Sequence, residues 1–291
     1  MISVISCHAI FNEFAFTLCK RYNFEMVKDF NPKKGDIYLL LGAHEKAVEL
    51  YTVQKQANNE FGYIIYNSEQ ACSDFWKNKY YVMLCKDNVV FNYSTELARD
   101  LEKKFKISTH SFFNWDYPTW EGVGEHEQYD IVFIGAKSEQ REKVHQELIS
   151  CCPDKKILFS YDNSYLNPTK LTELLKNTKI VLNIPYYKDN ILATHRINKA
   201  LSCDCTVLSY YSEDDDMNEL YKDYIYFSNN IPKLVRKFYD ETLEVKEPKK
   251  NWVALTIDMG QKLMPHNLQI IEHVKNKLDE RLNKDKSTDD T

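Results

Sequence analysis

Arg196 stands where a strand and a polar turn give way to a helix, in IVLNIPYY (180–187) followed by THRINKAL (194–201). A guanidinium in that place can grip two phosphate oxygens, and the helix start adds N–H groups and the positive end of its dipole. Thr194 and His195 share the turn and can donate to the same group, while Tyr186, Lys188 and Asp189 line it. The plainer account of Arg196 is a surface ion pair. Gly135 closes another strand (130–134) just before a helix, where the missing side chain lets a diphosphate approach the backbone. Lys137 and Arg141 flank it and can neutralise phosphate; solvated cations at a helix start are the equal alternative. A lone glycine is not a GxGxxG fingerprint. The acidic run 213–216 contains Asp214 and Asp216 as a DxD, a pattern that elsewhere holds a divalent ion. Its place after a late strand suits helix capping better. Asn218 and Glu219 open the turn that follows.

These residues need a scaffold, and the chain supplies one twice. ISVIS (2–6) reads as a strand, and Phe11, Phe14, Ala15, Leu18 and Tyr22 form a helical stripe behind it. DIYLLL (36–41), ending at Gly42, YIIY (63–66) and 89–91 are further strands, and Leu97, Leu101 and Phe105 mark another helix. Alternation of this kind implies a parallel sheet covered on both faces. Residues 114–128 (NWDYPTWEGVGEHEQ) carry Pro118, Gly122 and Gly124 without a period and read as a linker. Beyond it the pattern repeats. DIVFI (130–134) is a strand, Ser138 is placed to cap the next helix, and 156–160 is a strand. Asn167 and Pro168 cap and open a helix buried through Leu171, Leu174 and Leu175. The Arg196 motif follows, then strands TVLSYY (206–211) and YIYF (224–227), a helix near 236–239 and a late amphipathic helix through Leu268, Ile271, Val274, Leu278 and Leu282. The expected division is 1–118, 119–265, a helix over 266–283 that packs back on the first domain, and a disordered charged tail over 284–291.

At 291 residues the chain is long enough for two such domains. A hydrophobic content of 43% with 28% charged residues describes a globular protein, and no apolar run reaches the length of a membrane span. The apolar start lacks a basic flank and a cleavage site, so it reads as strand one and not as a signal peptide. A net charge of -5, with no basic stripe interleaved with aromatics, argues against a nucleic-acid partner. The 8 Cys form no metal-knuckle spacing and suit reduced thiols in a cytoplasmic protein. Twenty Tyr, with Trp76, Trp115 and Trp120, fit packing or stacking on sugar rings.

Two α/β halves joined by a linker, with a late C-terminal helix, resemble a glycosyltransferase of the GT-B type. The likeness is strongest in YDIVFIGAKSEQREKVHQEL and in KIVLNIPYYKDNILATHRINKALSCDCTVLSYYSEDDDMNELYKDYIYF, which are similar to the donor-binding half of those enzymes. In the first half it is carried by YIIYNSEQ and VVFNYSTELARDL. The resemblance implies two Rossmann-like domains facing each other across a cleft and closing about 114–128. The second would bind a nucleoside diphosphate sugar, of UDP or GDP type, on Gly135, Lys137, Arg141, Tyr186, Thr194, His195, Arg196, Asn218 and Glu219. The first would receive a hydroxyl of a glycan or glycoprotein. No cofactor is expected, and a divalent metal is not implied. Lys199 stands where many retaining members carry a Glu on the donor ribose, and Asp204 replaces a customary Gly. The donor and the stereochemical course are therefore not carried over.

Transfer with inversion needs a general base beside the acceptor hydroxyl. The resembled fold often places a His or Asp in the loop after strand one, where this chain has His8. Glu13, in the first helical turn, and Glu69, after the YIIYN strand, are the other candidates, with His44 and Gln70 on the acceptor side. A sugar-nucleotide epimerase on the same fold, or a binder that has lost turnover, would share most of these residues.

Overall fold

The computed structural model describes residues 1–28, 30–58, 60–113, 115, 117–119, 129–162, 165, 167–187, 191–240 and 249–284, with residues 283 and 284 described by their backbone alone. The chain divides into two compact units, Met1–Asp116 with Met259–Thr291, and Tyr117–Asp258. Most of the linker segment, with Trp120, and the C-terminal tail lie outside the described residues, as do Lys188 and Asp189.

Unit one is built on a sheet of β1 (Ile2–Ser6), β2 (Glu25–Met26), β3 (Ile37–Leu41), β4 (Gly62–Asn67), β5 (Val89–Asn92) and β6 (Thr109–Ser111), in the order β2-β1-β3-β4-β5-β6. Every adjacent pair is parallel. The central strands are buried along their whole length, as continuous apolar runs such as IYLLL require when helices cover both faces. The helices are α1 (Asn12–Tyr22), α2 (Ala47–Gln56), α3 (Lys79–Asp87) and α4 (Thr95–Phe105). α4 shows why such a segment is a helix. Ser94 accepts from the Leu97 N–H at its start, Lys106 ends it at φ 57, and Leu97 and Leu101 face the core one turn apart. Each buried leucine contributes about 1.5–3 kcal/mol. β2 and β6 escape the sequence pattern because two and three residues are too few to show a period.

Unit two holds β7 (Tyr129–Ile134), α5 (Glu139–Cys151), β8 (Ile157–Ser160), α6 (Pro168–Lys176), β9 (Thr178–Asn183), α7 (Thr194–Ser202), β10 (Thr206–Ser209), α8 (Asp215–Tyr221), β11 (Tyr226–Phe227) and α9 (Ile231–Tyr239). Its sheet is parallel, in the order β11-β10-β9-β7-β8. Phe133, Ile131, Leu182 and Leu208 lie in one core cluster with Val144 and Leu148 of α5 and Val235 of α9.

The late helix, α10 (Trp252–Lys284), starts well before the predicted 266, because buried Trp252, Leu255 and Met259 continue its apolar stripe upstream. Within unit one it covers the β6 edge. The Asn267 side chain accepts from the Phe113 N–H (3.2 Å) and donates to the Phe113 carbonyl (2.9 Å), and His266 Nε2 lies 2.9 Å from the Ser111 carbonyl. Side chains thus take the place of a further strand on an edge that would otherwise invite pairing. No helix among the described residues is long and apolar enough to cross a membrane.

Strand order fixes where ligands can bind. In each sheet the chain leaves its first strand in one direction and then returns to the other side, so a crevice opens at the carboxyl ends of the two strands flanking the reversal. In unit one these are β1 and β3; in unit two, β7 and β9.

Candidate active site

At the reversal in unit two, β7 runs into Gly135 and β9 into Ile184. Gly135 has φ 156, in the region that favours glycine, and its N–H donates to the Ser160 carbonyl at 3.1 Å. A Cβ there would lie 3.0 Å from an Arg196 Nη, 3.3 Å from an Arg141 Nη and 3.2 Å from the Phe133 ring. The glycine is what lets two guanidiniums close on one point of backbone. Both cations also lie over the Phe133 ring, at 4.8 Å for Arg141 and 5.3 Å for Arg196, and Arg141 lies over Tyr186 at 5.2 Å.

The two arginines are held differently. Arg141 is buried and spends its fork on backbone: Nε and Nη2 donate to the Ile184 carbonyl (3.1 and 2.8 Å), and Nη1 donates to the Ala136 carbonyl (2.6 Å). It ties the turn after β9 to the turn after β7. Arg196, in the first turn of α7, makes one hydrogen bond among the described residues, from Nη1 to Asn183 Oδ1 at 2.7 Å. Asn183 is itself fixed, its amide donating to Ser209 Oγ at 2.9 Å. Neither guanidinium faces a carboxylate among the described residues. Burial, with the second cation close by, pushes Arg196 down to about 9; burial pushes Arg141 down to about 10. Among the described residues the two cations gather without an anion.

His195, beside Arg196, has its Nδ1 2.8 Å from the Tyr117 hydroxyl. Burial holds it neutral, with a pKa pushed down to about 3. Thr194 Oγ1 is buried without a hydrogen-bond partner among the described residues, and so can serve a ligand. Lys137 is exposed and pairs with Glu142 at 3.1 Å. Asn218 is committed elsewhere, accepting from the Ser212 N–H (2.9 Å) and donating to the Ser212 carbonyl (2.7 Å). Glu219 points to solvent in an ion pair with Lys222, an i,i+3 neighbour. The acidic run caps: Asp214 accepts from the Met217 N–H at the start of α8. Lys199 turns into the protein, donating to Thr172 Oγ1 of α6 at 2.7 Å while almost fully buried.

Unit one gathers a second set. His8 follows β1, His44 follows β3 on a 3-10 turn, and Glu69 follows β4, so all three stand at the carboxyl edge of adjacent strands. His44 Nε2 lies 3.6 Å from Glu69 Oε1 and 3.6 Å from Glu45 Oε1. Burial, with His8 close by, pushes His44 down to about 4, while burial raises Glu69 above the usual carboxylate range. The contact at neutral pH is therefore a neutral imidazole beside a carboxyl group, not an ion pair. The Gln70 carbonyl accepts from Trp76 Nε1 at 2.9 Å, and Trp76 is buried against Phe105. Glu13 lies half-buried in the first turn of α1. Trp115 is buried in unit one, under the Arg21 guanidinium at 5.3 Å.

Asn183, Phe133 and Tyr117 complete the arginine site, and none of the three is a sequence candidate. The available signal was Asn183 itself, a polar residue closing an otherwise apolar strand.

No family model matches the chain, and no curated protein matches it by sequence. Solved structures do resemble it. One is a mutant of TarM from S. aureus, crystallised with fondaparinux, alpha-GlcNAc-glycerol and UDP: TM-score 0.54, 11% identity, covering 84% of this chain and 56% of that one. The chain thus spans little more than half the length of that relative. Another is HepE from Anabaena, crystallised with UDP and glucose: TM-score 0.55, 9% identity, covering 95% of this chain and 100% of that one. At such identities the likeness shows the fold. Two Rossmann-like α/β units of GT-B type are what this chain forms.

Proposed function

We propose that this protein is a glycosyltransferase that moves a hexosyl or pentosyl group from a nucleoside diphosphate sugar to a hydroxyl of a glycan or glycoprotein. The observation that carries the reading is the pair of guanidiniums at Gly135, at the sheet reversal, with no carboxylate among the described residues to neutralise them. A diphosphate supplies the missing charge, and the two structures named above were crystallised with UDP, so a UDP sugar is the favoured donor. As the anomeric C–O bond breaks, negative charge grows on the leaving diphosphate. Arg196, already oriented by Asn183 and Ser209, stabilises that charge without reorganising. Arg141 shapes the cradle by holding the Ile184 and Ala136 carbonyls away from the anion. Thr194 Oγ1 offers a further donor. Two fixed cations can do for the leaving group what a divalent ion does in other transferases, so we assign no metal. The eight cysteines are thiols, which suits a cytoplasmic setting.

Lys199 favours a second reading, a nucleotide-sugar binder without turnover. Its side chain packs on α6 and offers the ribose no carboxylate. One assay separates the two readings: UDP release from UDP sugars with and without an oligosaccharide acceptor, alongside calorimetric UDP binding. Acceptor-dependent release supports the transferase, and binding without release supports the binder. Isomerised sugar in the absence of acceptor identifies an epimerase. No binding of UDP or GDP overturns all three.

A further inference from the structure

We propose that Cys151 and Cys152 form a dithiol site in unit two that takes a trivalent arsenical as a bridge between their two sulfurs. The site is separate from the arginine cradle. Arg141 lies in the first turn of α5 and Cys151 is its last residue, about 15 Å along the helix.

The two thiols face each other because of where α5 ends. Adjacent side chains within a helix point apart. Cys152, the capping residue, leaves the helix at φ -135 and ψ 59, and Pro153 after it disfavours helical backbone there. The Cys152 N–H still donates to the Leu148 carbonyl at 2.9 Å, and its carbonyl accepts from the Lys155 N–H at 3.1 Å, so the turn is pinned on both sides. The break brings the sulfurs to 3.6 Å. Cys152 is 5% exposed and belongs to the core cluster of Val144, Leu148 and Val235, whereas Cys151 is half-buried and offers the way in.

The separation selects the ligand. A disulfide needs its sulfurs about 2.05 Å apart on Cα atoms usually about 4.4–6.8 Å apart, whereas a trans peptide fixes neighbouring Cα atoms at about 3.8 Å. Oxidation of this pair would therefore strain the turn. A linear two-coordinate ion with bonds of about 2.3 Å needs the sulfurs about 4.6 Å apart. A single atom bonded to both at that length subtends about 100° when they are 3.6 Å apart, the angle of a pyramidal or tetrahedral centre. Tetrahedral zinc takes four ligands, and among the described residues no three His, Cys, Asp or Glu side chains gather for a metal. A pyramidal trivalent arsenical needs only the two thiols, and its third position keeps an organic group.

Charge leads to the same ligand. Burial, with Cys151 adding to it, pushes the Cys152 thiol up to about 11, which starves any reaction that depends on a thiolate. The arsenical reaction leaves no charge behind. Each S–H gives its proton to an arsenic-bound oxygen, two As–S bonds form, two As–O bonds break, and two waters leave with no change of oxidation state.

Mass spectrometry of the full chain under native conditions, with phenylarsine oxide as the probe, tests the site. The wild type is expected to hold one phenylarsenic group against millimolar monothiol and to release it to a dithiol. Cys151→Ser and Cys152→Ala should each weaken retention by roughly 100-fold or more, the loss expected when a chelate is reduced to one contact. Melts without the probe show that each variant folds, and Cys151→Ser, at the half-exposed position, carries the test if Cys152→Ala does not. The double variant Cys203→Ser with Cys205→Ser, the other close pair, should bind as the wild type does. Uptake that survives Cys151→Ser, uptake lost in the Cys203 and Cys205 variant, or none in the wild type overturns the inference. Ready formation of a Cys151–Cys152 disulfide in hydrogen peroxide overturns it as well, because the turn would then close without strain.

Discussion

Replacing Arg196 by methionine keeps the length of the side chain and removes the charge, and its effect on stability opposes its effect on binding. The two guanidiniums close on Gly135 from 3.0 and 3.3 Å, so they lie within about 6 Å of each other. At an effective dielectric near 20 their repulsion is about 3 kcal/mol. The substitution removes that cost, loses the hydrogen bond to Asn183 and leaves a buried amide oxygen unsatisfied, a loss of about 1–3 kcal/mol. Without ligand, Arg196→Met is therefore expected to melt within a few degrees of the wild type. Its response to UDP should shrink. One ligand at about 100 times its Kd stabilises the wild type by about 2.7 kcal/mol, which at about 2 °C per kcal/mol for a chain of this size is a rise of roughly 5 °C. Losing one or two charge-assisted hydrogen bonds, about 1.5–3 kcal/mol each, weakens binding by roughly 10- to 20,000-fold, which cuts that shift to about half at the low end and to under about 1 °C beyond a 100-fold loss. Thermal melts with and without UDP, backed by calorimetry, read both quantities. A variant that loses several degrees without ligand, or that keeps the UDP shift, refutes the account of two cations waiting for an anion.

Three further outcomes follow from the same geometry. Gly135→Ala places a Cβ against both arginines in a backbone region reserved for glycine, so it should cost about 1–3 kcal/mol in denaturant melts and weaken UDP binding at least tenfold; a neutral substitution would show that the approach is not tight. Lys199→Ala should destabilise by about 2–4 kcal/mol, since it empties a buried site and strips Thr172 of a partner, yet leave UDP affinity within about threefold. A large loss of affinity there would place Lys199 on the donor. The histidines set the pH response. His44 and His195 bind their protons only near pH 4 and 3 in the folded chain but near 6.5 when unfolded, so the unfolded state holds more protons in between. Stability should be full above about pH 6.5 and fall as pH drops toward 4, by at most about 3 kcal/mol from His44; Glu69, raised in the folded state, runs the other way and softens the slope. Replacing His44 by Gln should flatten this acid limb in urea melts, and an unchanged limb would refute its assignment.

The strands were legible because apolar runs of four to six residues flanked by turn residues have few other uses in a chain of this composition. What the same runs withheld was their order in the sheet, and the order decides which loops meet. Gly135 and Arg196 are 61 positions apart, and only the reversal between β7 and β9 makes them neighbours. Arg141 reads equally as a phosphate ligand or a solvated cation at a helix start, because nothing in its own segment says that Ile184 will present a carbonyl to it. Glu219 shows how local context competes with a resemblance. Its place in the resemblance suggested a ligand contact, whereas on a short exposed helix it pairs with Lys222.

Yet one signal spanned both units and went unread. β1, β8 and β10 end in Ser6, Ser160 and Ser209, and β4, β5 and β9 end in Asn67, Asn92 and Asn183, each after an apolar run. A polar side chain buried at the carboxyl end of a strand costs free energy unless something satisfies it. Three of these residues answer that cost by building the sites: Asn183 and Ser209 hold Arg196, and Asn67 clamps Glu69, while the Ser160 hydroxyl donates to Asp162 Oδ1 instead. Asn92 does not, since both polar atoms of its buried side chain lack a partner among the described residues. If the rule holds, Asn92 is satisfied by an ordered water rather than left bare, because an enclosed amide has no bulk water to turn to. A crystal structure at high resolution should therefore show density for a water within hydrogen-bond distance of the Asn92 amide. Replacing Asn92 by leucine should then cost less than about 2 kcal/mol, because the orphaned amide leaves together with its water. A dry, unpartnered Asn92 would mean that strand-end polarity in this chain is not selected for satisfaction. The agreement between Asn67 and Asn183 would then be coincidence.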